Sequence, residues 1–330
     1  ILTISFSQDT THVSWTGTPG ELEAAITGPG VYSLDAGRVY LTLDHIPVEY
    51  GAIHIVGVDP GDEHPATIQP ALNWEALLVH TNNELFTLIG DDAELVLKGL
   101  ILNGTPSDYE SNMSNLHAFA SARGARNKIV VDDCVVDGVG HLAFFTMGTQ
   151  TDFHFTNSVA KAFTNGPNGM FYGGLFWGGG SWMGTIDTLV VQNNTISGVI
   201  GEALVIYEHV DYGLVDHNTF ANINMGVVWY RGQNNLTVKN NLFYNTKSYG
   251  QSTYDINNWG VWQPGGHGQM SIMPSYEDPY EMEQDGQFVD MDNRNIKYHN
   301  NVWYHDHYMI DYMQTGPWSW TDEEDEYGQT

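Results

Sequence analysis

The sequence holds one cysteine, Cys134, among 330 residues. A single thiol excludes an intrachain disulfide framework and a cysteine-based zinc site. Basic residues are also scarce: 11 Lys and Arg stand against 40 Asp and Glu, a formal charge of −29 with His neutral. A field of that sign repels nucleic acid and anionic membranes, so neither is expected as a partner. It repels anionic polysaccharide too unless cations intervene, and its plainest use is solubility in salty surroundings. No apolar run approaches the roughly 18 residues needed to span a bilayer, so no membrane insertion is expected. A start at Ile1 rather than Met suits a mature product after removal of a signal or propeptide.

What the chain does have is apolar bulk: 42% of its residues are hydrophobic and 12% aromatic, enough for a large core. Four sequons begin at Asn103, Asn112, Asn193 and Asn235 and are candidates for glycosylation in an exported protein. Sequons also arise by chance.

The stretch "VVQNNTISGV" places two Asn between apolar residues, where a turn is expected. Related stretches return as "LVDHNTFANI", "TVKNNLFYNT" and "KYHNNVWYH". Aligned on the apolar residue before each turn, the anchors are Leu97, Val131, Phe155, Val191, Val215, Val238 and Tyr298. Five positions later stand Leu102, Val136, Ala160, Ile196, Phe220, Phe243 and Trp303, apolar every time. The residue after each anchor is polar every time. The unit is 23 or 24 residues long, with insertions in three places. Strand periodicity broken by a tight turn and recurring at fixed length describes one coil of a solenoid of stacked parallel strands.

Three positions after the anchor run Leu100, Cys134, Ser158, Asn194, Asn218, Asn241 and Asn301. Inward Asn at a coil corner can bond its copies above and below, so these four Asn are read as a structural ladder. Cys134 shares the column and is read as a small buried residue rather than a nucleophile.

These stretches, with the opening "PGELEAAITGPGVYSL", resemble the right-handed parallel β-helix, or pectate-lyase-like, superfamily. The resemblance covers about residues 19–312. It implies an all-β fold: a single-stranded right-handed parallel β-helix solenoid with a short N-terminal cap helix and loop excursions. It implies little about activity, because the superfamily includes lyases, hydrolases, epimerases, tailspikes, adhesins and structural proteins. The expected organisation is an N-terminal strand segment over 1–18, the β-helix over 19–312 and an acidic tail over 313–330. Excursions are expected at about 104–118, 164–184 and 247–295. An ordered acidic tail would suggest contacts from a neighbouring subunit.

The chemistry is sparse. Coil spacing sets Tyr207 near Tyr230 and Glu208 near Arg231, with Trp177 extending the aromatic line through the preceding coil. In a lyase, Arg231 or Tyr207 would be the base beside a uronate. In an inverting hydrolase, Glu208 and Asp211 are the nearest to a carboxylate pair. The competing reading is a Glu208–Arg231 salt bridge with stacked tyrosines. Trp177, Tyr207, Tyr230, Trp259 and Trp262 suit sugar stacking, although aromatics on loops also pack their own loops down. "DDC" at 132–134 and "GHG" at 266–268 match hydrolase motifs only by coincidence, since the first falls in turn columns and the second lies far away. His305 and His307 lack a third ligand at sensible spacing, so no metal site is read from them. No cofactor is called for, and no calcium-loop pattern supports Ca²⁺.

The residues favour a secreted or cell-surface structural protein, such as a self-assembling filament subunit or adhesin, associated with carbohydrate or glycan. The alternative is a secreted polysaccharide lyase or glycoside hydrolase acting through residues 207–231. Expected partners are carbohydrate and copies of the same chain.

Overall fold

The computed structural model describes residues 9–71, 84–105, 107, 116, 118–163, 174–178, 184–199, 201–206, 209–223, 225–229, 235–246, 270–272 and 295–307. Among them, strands stack into three all-parallel sheets of ten, nine and eight strands. The ten-stranded sheet begins with Thr10–Val13 and Gly30–Leu34 and ends with Asn235–Lys239 and Asn295–His299. The nine-stranded sheet runs from Val39–Thr42 to Val302–Tyr304, and the eight-stranded sheet from Ile46–Val48 to Met270–Ile272. Each coil contributes one strand to each sheet in turn, which is the parallel β-helix that the repeat implied.

The register bears the columns out. Leu97 pairs with Val131, Val131 with Phe155, and the line continues through Val191, Val215 and Val238 to Tyr298. The second apolar column pairs the same way from Leu102 to Trp303. The structure also extends the first column to Ile55 and Tyr32, two coils below the earliest unit that sequence spacing revealed. Those early coils carry no paired Asn at the corner.

The corner itself explains the paired Asn. The residue two after each anchor has positive φ on seven successive rungs: Gly99, Asp133, Asn157, Asn193, His217, Asn240 and Asn300, all between 53° and 65°. That region costs most side chains about 1–2 kcal/mol and is tolerated best by Gly, Asn and Asp. The first Asn of each pair therefore makes the bend, and the second fills the ladder. Asn194, Asn218 and Asn241 are all buried. The Oδ1 of Asn218 accepts from the Nδ2 of Asn194 at 2.9 Å, that of Asn241 from Asn218 at 3.0 Å, and that of Asn301 from Asn241 at 2.9 Å. Below the amides, the hydroxyl of Ser158 takes the same place and accepts the Cys134 N–H at 3.0 Å.

Apolar stacking fills the interior. The rings of Phe153 and Phe176 lie 4.1 Å apart at 8°, and those of Phe220 and Phe243 lie 5.0 Å apart at 7°. At the N-terminal end the helix Glu21–Ala25 covers the first coil with Leu22, which is fully buried. Among the described residues, no helix is long and apolar enough to cross a membrane.

Candidate functional site

Two of the three sheets alternate, as a solvated outer face requires: Lys128–Asp132, for example, buries every second residue. The eight-stranded sheet does not. Ala118–Ala122, Leu142–Thr146 and Glu202–Ile206 are buried at every position, on both faces. One column of it runs Thr87, Ser121, Phe145, Trp177 and Val205 by register. Phe145 and Val205 are buried yet stand apart from the interior cluster, so this column faces outward.

Polar groups gather on the same face. Glu84, 5% exposed, accepts from the Arg123 guanidinium at 2.6 Å and from the hydroxyl of Ser121. The Arg123 guanidinium also lies over the Phe145 ring, 5.6 Å from its centroid. A buried carboxylate with a charged partner and a hydroxyl donor is satisfied, so Glu84 is held rather than reactive. Glu202 is different: it shares the strand phase of Leu204 and Ile206, both in the interior cluster, and not that of the outward Val205. It is 2% exposed, and its Oε2 has no hydrogen-bond partner among the described residues. Burial pushes its carboxyl up to about 8, so it carries its proton at neutral pH.

Chain connections single out one edge of this sheet. The links from the nine-stranded sheet into it are long after Pro70, Asn103, Phe163 and Tyr244, whose next strands begin at Glu84, Ala118, Gly174 and Met270. From Lys98 onward the links from the ten-stranded to the nine-stranded sheet are one or two residues long, as between Lys98 and Leu100. Insertions in solenoids gather on the binding face.

Of the residues singled out by sequence, Trp177 lies in the outward column, opposite Val205. Tyr207, Glu208, Tyr230, Arg231, Trp259, Trp262 and Asn112 lie outside the described residues. The adjacent pair Ile206 and Trp229 does have the assumed spacing. Asp211 lies in the strand His209–Asp216. Asn103 accepts the Thr105 N–H at 3.0 Å, Asn193 donates to Asn157 at 3.2 Å, and Asn235 accepts from Asn295 at 3.2 Å. Asp132 is a corner residue. Burial pushes its carboxyl up, but hydrogen bonds from Lys98, Asn157 and Thr156 outweigh that and hold it below the usual range. Glu84, Arg123 and Glu202 were missed. The available signal was an acidic residue opening each of two otherwise apolar strands, "ELFTL" and "EALVI".

A family described as periplasmic copper-binding protein (NosD) matches residues 94–271. No curated protein matches the sequence. Among solved structures, the PL6 family alginate lyase AlyGC is similar at a TM-score of 0.40 and 10% identity, over 90% of this chain. The chain spans 40% of the length of that lyase. The family description raises copper, and the described residues do not fit it. Among them no three His, Cys, Asp or Glu side chains come together as a metal would require. The one thiol, Cys134, is buried against the carbonyls of Leu97 and Asp132, and burial pushes it up to about 12.

Proposed function

This chain belongs to the NosD family of parallel β-helix proteins, and from that premise we propose a structural or surface protein that holds a carbohydrate chain along its eight-stranded face. Its place is outside the cytoplasm. The observation that carries the reading is the outward column of that sheet, where Trp177 is half-buried on the rung next to the buried Phe145. Rungs repeat at roughly 4.8 Å, close to the length of one sugar unit, and aromatic faces stack on sugar rings. The long links bordering the same sheet support it. Affinity electrophoresis through gels containing neutral polysaccharides tests the proposal. Retardation that Trp177→Ala abolishes is the expected result; free migration through every gel overturns it.

Self-association belongs to the same reading. Val302, Trp303 and Tyr304 on the last described rung are 59%, 52% and 54% exposed. Sedimentation of the chain and of Trp303→Lys tests it, with larger species expected only for the unsubstituted protein.

The enzyme reading has one observation in its favour, the protonated Glu202, which is the state a general acid needs. An inverting hydrolase needs a second carboxylate about 6.5–9.5 Å away. Glu84 is four strands distant along the sheet, roughly 19 Å at rung spacing, and is paired with Arg123. Glu208, outside the described residues, is the nearest carboxylate to Glu202 in sequence. Release of reducing ends, lost in Glu202→Gln, would favour this reading.

A further inference from the structure

A cleft of ≈ 290 Å³ lies where the turn after the cap helix meets Ile46–Val48, the first strand of the eight-stranded sheet. Glu23, Pro29, His45, Pro47, Glu49 and Tyr50 line it. One wall is fixed by Gly51, whose φ is 67° and whose added Cβ would come within 2.8 Å of Pro29 Cγ. Glu23 is held by the N–H groups of Leu43 at 2.5 Å and Asp44 at 3.1 Å, both donating to its Oε1. Its Oε2 has no hydrogen-bond partner among the described residues, and burial raises its pKa. The position calls for a donor. Tyr50, 64% exposed, stands at the mouth, and His45 is oriented by Asp44 at 3.0 Å. Pro47 pairs with Thr87, so the cleft ends the same column that carries Ser121, Phe145 and Trp177.

We infer that this cleft receives the terminal residue of the carbohydrate chain and selects a neutral or amine-bearing sugar over a uronate. The inference rests on the carbohydrate reading above. The volume is at the lower end of ligand sites, which suits a single ring rather than an oligomer. Hydroxyl or ammonium donors satisfy Glu23 and Glu49, while Tyr50 and the two prolines take the C–H face of the ring. A uronate would set its carboxylate against Glu23 and Glu49, with Asp44 adjoining Glu23 and with His45 the single side chain of the lining able to offset it. The Glu23 Oε2, shut from solvent, is costly without a donor, which makes the selection a matter of donor count as well as charge.

Calorimetry on the full chain with glucosamine, glucose and glucuronate tests this. Glucosamine and glucose are expected to bind, with glucuronate at least about tenfold weaker. Tyr50→Ala and Glu49→Gln, both at exposed positions, should each weaken glucosamine about tenfold and leave the melting temperature unchanged. Glucuronate binding as tightly as glucose, or glucosamine binding unaffected by both substitutions, overturns the inference. Polysaccharide gels separate the two claims. If Trp177→Ala abolishes retardation while the cleft variants change nothing, the cleft fails and the face stands. If glucosamine binds and no polysaccharide is retarded, the face fails and the cleft remains an isolated sugar site.

Discussion

The side chain of Asn218 accepts from Asn194 at 2.9 Å, while its own Nδ2 donates to Asn241 at 3.0 Å and to the Val191 carbonyl at 2.8 Å. Its Oδ1 also accepts the backbone N–H of Asn194 at 3.1 Å. One buried amide thus serves two coils and the corner between them.

Asn218→Ala should therefore cost more than a surface corner substitution. It strands the Val191 carbonyl and the Asn194 N–H in the interior, each worth about 1–3 kcal/mol when left unpaired. A loss of about 2–4 kcal/mol is expected in denaturant unfolding. A loss below about 0.5 kcal/mol would mean the amides are spectators.

Asn193 plays the other part. It is exposed at φ 59°, so the backbone rather than the amide sets its identity. Asn193→Gly should be nearly neutral, whereas Asn193→Val should destabilise by about 1–2 kcal/mol. Equal melting temperatures for the two variants would contradict this account.

Glu202 makes stability depend on pH. Its folded carboxyl titrates near 8 against an ordinary value of 4.5, so between those limits the folded chain holds a proton that the unfolded chain has released. Stability then falls as pH rises through that window, by at most about 1.4 kcal/mol per unit, and levels off above it. His54 and His154, both held low by burial, act in the opposite sense but only below about 6.5. Thermal melts from pH 6.5 to 8 should therefore decline, and Glu202→Gln should flatten them. Parallel curves for the two proteins would remove Glu202 as the cause.

Gly90, Gly124 and Gly148 occupy one position on successive coils, where a Cβ would collide with the carbonyl of Glu49, Gly90 or Gly124 in the coil below. Gly124→Ala should abolish or severely weaken folding, because the obstacle is backbone that cannot turn aside. Gly61, with nothing within 4 Å, is the control: Gly61→Ala should cost only the roughly 1 kcal/mol of its positive φ. Circular-dichroism melts of both variants decide it, and a well-folded Gly124→Ala protein would refute the stacking distance.

The winding was legible because the same physical constraint recurs on every rung. A column that is apolar from Leu102 to Trp303 needs no tertiary information to be recognised. The first coils were not legible: Ile55 and Tyr32 share the anchor column, but their corners bend through different residues and carry no Asn pair. The bend role of Asn193 was hidden for another reason. Backbone sign and side-chain ladder use the same residue type, so two adjacent Asn read as a single signal. The site was the least legible part. Glu84 and Arg123 are 39 positions apart and meet only because the register carries them together. The repeat predicts which rung a residue occupies but not its place along the strand, where a one-residue slip moves a side chain to the other face.

The division between tight and long corners has a consequence for how such a coil can change. The bend at Gly99, Asp133, Asn157 and their successors sets the pitch, and it tolerates almost no variation in length. The opposite edge takes connections from two to some two dozen residues while the strands on either side keep step. Lengthening a connection there costs only the slow logarithm of loop closure. New recognition surface can therefore be spliced into one margin of the molecule while the winding that supports it stays untouched.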